Sequence, residues 1–214
     1  MNMDPKEISQ KVASHLLEVE AIKLSPSKPF TWSSGWKSPI YCDNRVALAY
    51  PAVRTYIKEA LAAMIKANYP EVEAIAGVAT AGIPQGALVA DALGVPFMYV
   101  RSKPKGHGME NLIEGDPKGG QKVVVLEDLV STGGSSLKAV DALRQAGIQV
   151  LGMAAIFTYG FQIADDNFAA SNVDLSVLSN YADMIDTALA SGYVKEGEVE
   201  VLKAWRVDPS NWGG

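Results

Sequence analysis

VVVLEDLVSTGGSS, residues 123–136, changes character twice in a short span. Val123 to Leu126 extend an apolar, β-branched run that begins at Lys122, reading as a short buried strand. Two adjacent acids follow, Glu127 and Asp128, and then Ser131-Thr132-Gly133-Gly134-Ser135 opens a helix predicted from Ser135 to Ala146, stopped by Gly147. Glycines let a backbone curl until several N–H groups point inward. The hydroxyls of Ser131, Thr132 and Ser135 add donors, and a helix N-terminus adds positive potential. That combination is a nest for one phosphate monoester. A carboxylate accepts hydrogen bonds from vicinal hydroxyls, so acids beside the nest suit a sugar. Phosphate and diol together describe a ribose 5-phosphate. Taken alone, the turn also fits a capped strand-to-helix connection with solvated acids.

Outward from this stretch the chain alternates short apolar runs with helical patterns. Ala74–Ala79, Pro96–Val100, Ile148–Phe157 and Val173–Leu178 read as further strands, and IPQGALVADAL as a helix ending at Gly94. Apolar strands without alternation, separated by helices, imply an α/β fold whose mainly parallel central sheet is covered on both faces. Ligands of such sheets bind beyond the C-terminal strand ends, here the loops at 79–83, 101–116 and 127–135. Upstream, residues 5–19 carry apolar positions at helical spacing with Asp4 as cap and Pro5 in the first turn, and a second helix is predicted from Pro51 to about Asn68. Between them FTWSSGWKSPIYCDNR, residues 30–45, reads as two short strands around the Ser34-Gly35 turn. The expectation is one domain over residues 1–214, with an N-terminal flap over about 1–45.

Composition narrows the function classes. The 214 residues hold 24 acidic against 19 basic side chains, a formal charge of −5, with 48% hydrophobic residues, an ordinary globular balance. Nothing global favours a nucleic acid or an anionic membrane as partner. The acidity is uneven: from Asp165 onward there are nine acids and three bases, leaving residues 1–164 at +1. Cys42 stands alone and forms no internal disulfide, pointing to a reducing compartment. The N-terminus mixes charges through its apolar positions, unlike a signal peptide, and no run reaches the roughly 20 apolar residues of a membrane span. The expected location is the cytoplasm.

Three other segments bear on chemistry. VRSKPKGHGMENLIEG, residues 100–115, sets Arg101, Lys103, Lys105 and His107 at every other position, which puts all four on one face of an extended arm. Gly106, Gly108 and Pro104 keep the arm pliable and non-helical. Such a face suits a pyrophosphate, or is simply a solvated basic hairpin. Residues 30–45 set Trp32, Trp36 and Tyr41 beside hydroxyls and the cations Lys37 and Arg45, able to stack on a small aromatic acid; an aromatic-packed flap fits equally well. In GVATAGIP, residues 77–84, a tight turn at Thr80 and Ala81 offers backbone N–H groups to a diphosphate, or is an ordinary strand-to-helix turn. Neither G-x-x-x-x-G-K-[ST] nor a strand-linked G-x-G-x-x-G occurs. No His/Cys/carboxylate spacing suggests structural zinc.

Strand, paired acids and hydroxyl-rich turn resemble the PRPP-binding signature of type I phosphoribosyltransferases. The basic arm resembles the hood loop of orotate phosphoribosyltransferases, and residues 30–45 resemble their F-T-x-x-S-G-x-x-S-P-I-Y region. The resemblance covers roughly residues 5–160. It implies a type I phosphoribosyltransferase fold with a small N-terminal hood and a flexible catalytic loop, and transfer of ribose 5-phosphate from PRPP to orotate. By it, Arg101, Lys105, His107 and Asp128 are catalytic, and PRPP meets Arg101, Lys105, His107, Glu127, Asp128, Leu129, Val130, Ser131, Thr132, Gly133, Gly134, Ser135, Thr80 and Ala81. Orotate meets Ser131, Ser33, Tyr41 and Tyr159. The resemblance also implies Mg²⁺ held mainly through PRPP rather than by protein ligands, and a homodimer with shared sites. Ser33, Trp36, Ala81 and Tyr159 depart from a lysine or arginine found in some forms of the family. Two other readings stay open: a phosphoribosyltransferase for another base, and a PRPP-sensing regulator, although a regulator would be expected to carry a DNA-binding segment or basic face.

Overall fold

The computed structural model describes residues 4–32, 35–103 and 112–213. Helix α1 (Pro5–Glu18) starts at its proline, with Asp4 in the cap position but making no side-chain cap bond. Its Val12, Ala13, Leu16 and Leu17 are buried, as the spacing requires. His15 sits 3.8 Å from Glu18, and burial, with Lys11 nearby, lowers its pKa. Strand β1 (Ile22–Leu24), which the sequence reading lacked, is too short to show a pattern. Strands β2 (Phe30–Thr31) and β3 (Lys37–Ser38) form the expected antiparallel hairpin. Strand β4 (Ile40–Cys42) turns back onto β1, pairing Ile22 with Cys42 and Leu24 with Ile40.

A 3₁₀ turn over Asn44–Ala49 leads into α2 (Pro51–Asn68). The alternation then begins: β5 (Ala74–Val78), α3 (Gly82–Leu93), β6 (Phe97–Val100), β7 (Ile113–Glu114), β8 (Lys122–Val130), α4 (Gly134–Gln145) and β9 (Gln149–Thr158). Then come α5 (Gln162–Ala170), β10 (Leu175–Asn180), α6 (Tyr181–Ala190) and α7 (Glu196–Val207). Helix α3 ends where Gly94 adopts φ +68, the left-handed stop anticipated there. One correction matters for function. Strand β8 runs to Val130 instead of ending at Leu126, so Glu127 and Asp128 are strand residues and not part of the turn.

The chain divides into two compact units, one over residues 55–178 and the other formed by the described residues up to Arg54 and from Ser179 onward. In the first, six strands form one sheet in the order β10-β9-β8-β5-β6-β7. Strand β8 pairs in parallel with β5 (Ala74 with Val123, Gly77 with Leu126) and with β9 (Glu127 with Ala155, Val130 with Thr158). Val123, Val124, Val125 and Leu126 are all fully buried, which is why this strand reads as an unbroken apolar run. Strand β7 lies antiparallel to β6, pairing Tyr99 with Glu114. In the second unit Trp205 and Tyr181 lie at the centre with rings 5.3 Å apart, and Trp32 meets Trp205 edge-on at 5.6 Å. Ser9 donates to Asp183 at 2.6 Å, tying α1 to α6.

Close backbone approach sets the start of α3. A Cβ on Gly82 would lie 2.5 Å from the Leu126 carbonyl oxygen, and one on Gly77 would lie 2.7 Å from the Gly82 oxygen. Neither obstacle is a side chain that can swing away. Gly82→Ala is therefore expected to cost about 1–3 kcal/mol, the usual penalty of overpacking, read as a lower urea midpoint. A wild-type midpoint would show that α3 does not press on the sheet in this way.

Candidate active site

The long β8 sets the site. Along a strand successive side chains alternate faces, so Glu127 is buried at 6% exposure while Asp128 is half-buried. Both oxygens of Glu127 are engaged. The Asp128 backbone N–H donates to Oε1 at 3.0 Å, and the Ser136 hydroxyl, itself 2% exposed, donates to Oε2 at 2.8 Å. Burial, reinforced by the neighbouring Asp128 charge, pushes the Glu127 carboxyl up to about 8, against the opposing pull of the Ser136 bond.

After Val130 the chain turns into α4. The Val130 carbonyl accepts from the Thr158 hydroxyl at 3.1 Å and from the Tyr159 N–H at 3.3 Å, so the end of β8 is clamped to β9. Leu129 and Val130, read as ligand contacts by resemblance, are ladder residues opposite Phe157 and Thr158. Ser131 and Thr132 are half-buried, and Gly134 and Ser135 are exposed at the helix start. The first N–H groups of a helix lack intrahelical partners, and here they stand beside those hydroxyls. Gly133 adopts φ +80, and a Cβ there would strike the Phe168 ring at 2.7 Å. This position requires glycine.

The turn after β5 is close by in the same unit. The Ala79 N–H donates to Val100 O at 2.9 Å, Thr80 is exposed and Ala81 half-buried, and the Ala79–Thr80 peptide is cis. A cleft of about 570 Å³ brings three of the sequence motifs together: Val78 of β5 and Ala79 just after it, Arg101 after β6, and Ser135, Lys138 and Asp141 from α4. Arg101 donates to Glu114 Oε1 at 3.3 Å, and its backbone N–H to Leu112 O at 2.7 Å, forming the base of the arm. Lys103 is exposed. Lys105, His107 and Ser33 lie outside the described residues.

Of the residues read as contacts to an aromatic acid, Tyr159 and Tyr41 belong to different units and are described each within its own. Tyr159 is 3% exposed, stacked on Phe161 at 5.4 Å and meeting Phe157 edge-on at 5.8 Å. Tyr41, in the other unit, is 44% exposed with Phe30 5.8 Å away. Arg45 is forked onto Asp43 at 2.7 and 2.9 Å, and Lys37 donates to Thr31. Sequence reasoning missed Ser136, which the second serine of Gly-Gly-Ser-Ser could have signalled, and Lys138, one helical turn after Ser135. Among the described residues, no group of three or more His, Cys, Asp or Glu side chains is placed to hold a metal, and no helix is long and apolar enough to cross a membrane.

A mainly parallel sheet whose central strand carries paired acids near its end and leads through a hydroxyl-rich turn into a helix has the features of a phosphoribosyltransferase. Residues 48–191 match the phosphoribosyl transferase domain family, and the chain belongs to it. The orotate phosphoribosyltransferase of Porphyromonas gingivalis is 56% identical over 208 residues, 97% of this chain and 99% of that protein. Among solved structures, orotate phosphoribosyltransferase from Aeropyrum pernix superposes with a TM-score of 0.75 at 29% identity, covering 86% of this chain and 99% of that one. The Mycobacterium tuberculosis orotate phosphoribosyltransferase in complex with PRPP gives 0.65 at 25% identity, over 83% and 98%. Within the family, this chain belongs to the orotate phosphoribosyltransferases.

Glu127 makes a pH prediction for the ligand-free protein. Folded, it keeps its proton up to about 8, whereas the unfolded carboxyl loses it near the ordinary glutamate value of 4.5. Unfolding between those values releases a proton, so the contribution is full below about 4.5 and is lost as the pH rises through 8. Glu127→Gln removes the titration. Over that window the wild type should lose stability more steeply than the variant, by at most about 1.4 kcal/mol per pH unit, in urea melts at stepped pH. Parallel curves would contradict the buried neutral acid.

Proposed function

We propose that the chain catalyses orotate + PRPP ⇌ orotidine 5′-monophosphate + pyrophosphate, a step of pyrimidine biosynthesis leading to UMP. The observation that carries the reading is the β8–turn–α4 unit, a hydroxyl- and glycine-rich turn at a helix start beside two carboxyl groups. The choice of orotate is supported by relatives of that name that match over nearly their whole length.

In this reading the C1–O bond to pyrophosphate breaks and a bond to an orotate ring nitrogen forms. The proton lost by that nitrogen balances the one the leaving diphosphate takes up. Charge builds up as an oxocarbenium-like ribose and a departing anion, so positioning and electrostatics do most of the catalysis. Ser131, Thr132, Gly133, Gly134 and Ser135 hold the 5-phosphate. Asp128 accepts from a ribose hydroxyl, and Glu127, neutral below about 8, can donate as well as accept. Thr80, Ala81 and Arg101 meet the diphosphate end, with Lys138 in the same cleft. Lys105 and His107 complete that cover by family resemblance, His107 as proton donor near neutral pH. Ser131, Ser33, Tyr41 and Tyr159 are assigned to orotate on the same basis.

The donor set suits Mg²⁺ carried by the substrate: Glu127 is occupied by two hydrogen bonds, and the cation would be held by PRPP oxygens, easing departure of the diphosphate. The working form in this proposal is a cytoplasmic homodimer whose hood loop serves the partner's site.

Lys105→Ala or His107→Ala should lower kcat at least tenfold while leaving the circular dichroism spectrum and Tm unchanged; wild-type turnover would remove the hood assignment. Mixing a Lys105→Ala chain with an Asp128→Ala chain should restore activity through hybrid dimers. If subunits exchange and nothing returns, the sites are not shared. A panel of free bases with PRPP should give product with orotate alone, and only while Mg²⁺ is present; product from a purine, or full turnover in excess chelator, would overturn the corresponding part.

A further inference from the structure

The phosphate turn rests on a helix that the reaction scheme leaves unused. Three carbonyls along the turn accept hydrogen bonds from defined donors. Val130 O is held by Thr158 and Tyr159, and Gly133 O by the Leu137 N–H at 2.9 Å. Thr132 O is held by a side chain distant in sequence: Asn167 of α5 donates its amide N–H to it at 2.9 Å. The next residue of α5, Phe168, supplies the ring that lies against Gly133.

We propose that Asn167 is a positioning residue for the phosphate-binding turn, holding the Thr132–Gly133 peptide so that its carbonyl faces α5 and its N–H faces the ligand. The proposal rests on the phosphoribosyltransferase reading above. In a trans peptide the C=O and N–H point in opposite directions, so anchoring one aims the other. With Thr132 O drawn onto Asn167, the Gly133 N–H points to the other side of the turn, where that reading puts the 5-phosphate. The anchor is needed because the site uses glycine. Gly133 stands at φ +80, and glycine occupies negative φ as readily as positive. A peptide flip there has little steric cost and would turn a carbonyl oxygen toward an anion. Asn167 opposes the flip by hydrogen bonding, and Phe168 limits the space beneath. The α5 backbone is itself secured near this point, with the Ser171 N–H donating to Asn167 O at 3.0 Å.

Asn167→Asp keeps the side-chain shape, removes the donor and sets a carboxylate against the carbonyl. It should raise KM for PRPP and Ki for ribose 5-phosphate about tenfold or more, leaving kcat, KM for orotate and Ki for pyrophosphate within about twofold. Selective loss of the 5-phosphate ligands is the signature, because general damage would weaken pyrophosphate and orotate alike. Unchanged ribose 5-phosphate inhibition, or a uniform loss across all ligands, would overturn the proposal. If Asn167→Asp fails to fold, Asn167→Ala carries the same expectation. A wild-type chain that shows no inhibition by ribose 5-phosphate and no PRPP-dependent turnover would instead refute the underlying function, and this proposal with it.

Discussion

A hydrogen bond from the Ser136 hydroxyl to the Glu127 carboxyl, 2.8 Å long and buried at both ends, joins the end of β8 to the start of α4. Burying a carboxyl without partners would cost several kcal/mol; here both oxygens are satisfied and the group keeps its proton. The bond closes the turn between strand and helix like a strut. That bond opposes opening of the turn, which favours keeping Ser131, Thr132 and Ser135 together at the helix start. From below, α5 holds the same turn through Asn167 and Phe168. The turn after β8 is thus held by side chains outside it, Glu127, Ser136, Asn167 and Phe168.

The chain carries −5 overall yet is read as handling two anionic substrates. The structure shows where much of the acidity is used. Asp183 accepts from Ser9 and from Asn180 at the start of α6, Asp208 accepts from Asn211 and Ser210, and Glu196 and Glu198 occupy the first turn of α7. Acids in a first helical turn meet the positive end of the helix dipole. These groups secure the unit formed by the described residues up to Arg54 and from Ser179 onward, whereas Arg101 and Lys138 line the cleft of the sheet unit. Local charge and total charge serve different purposes.

Much of this was legible in the sequence because local rules and tertiary demands agreed. The run Val123–Leu126 is apolar because helices cover both sheet faces, Gly94 ends a helix because φ is positive there, and Gly133 and Gly134 mark the turn. Three things were not legible. The end of β8 was misplaced because two acids look like a loop, although Glu127 is held inside by partners that only folding supplies. Strand β1 is three residues long and is specified by pairing with β4, not by pattern. Asn167 could not be foreseen, since the carbonyl it donates to lies 35 positions away. Contacts between distant elements leave no periodic trace.

A crystal structure of this protein with PRPP and Mg²⁺ is the most direct test. The 5-phosphate is expected within hydrogen-bond distance of the backbone N–H groups and hydroxyls of Ser131–Ser135, and the ribose hydroxyls at Glu127 and Asp128. A ribose 5-phosphate seated elsewhere, with that turn empty, would contradict it.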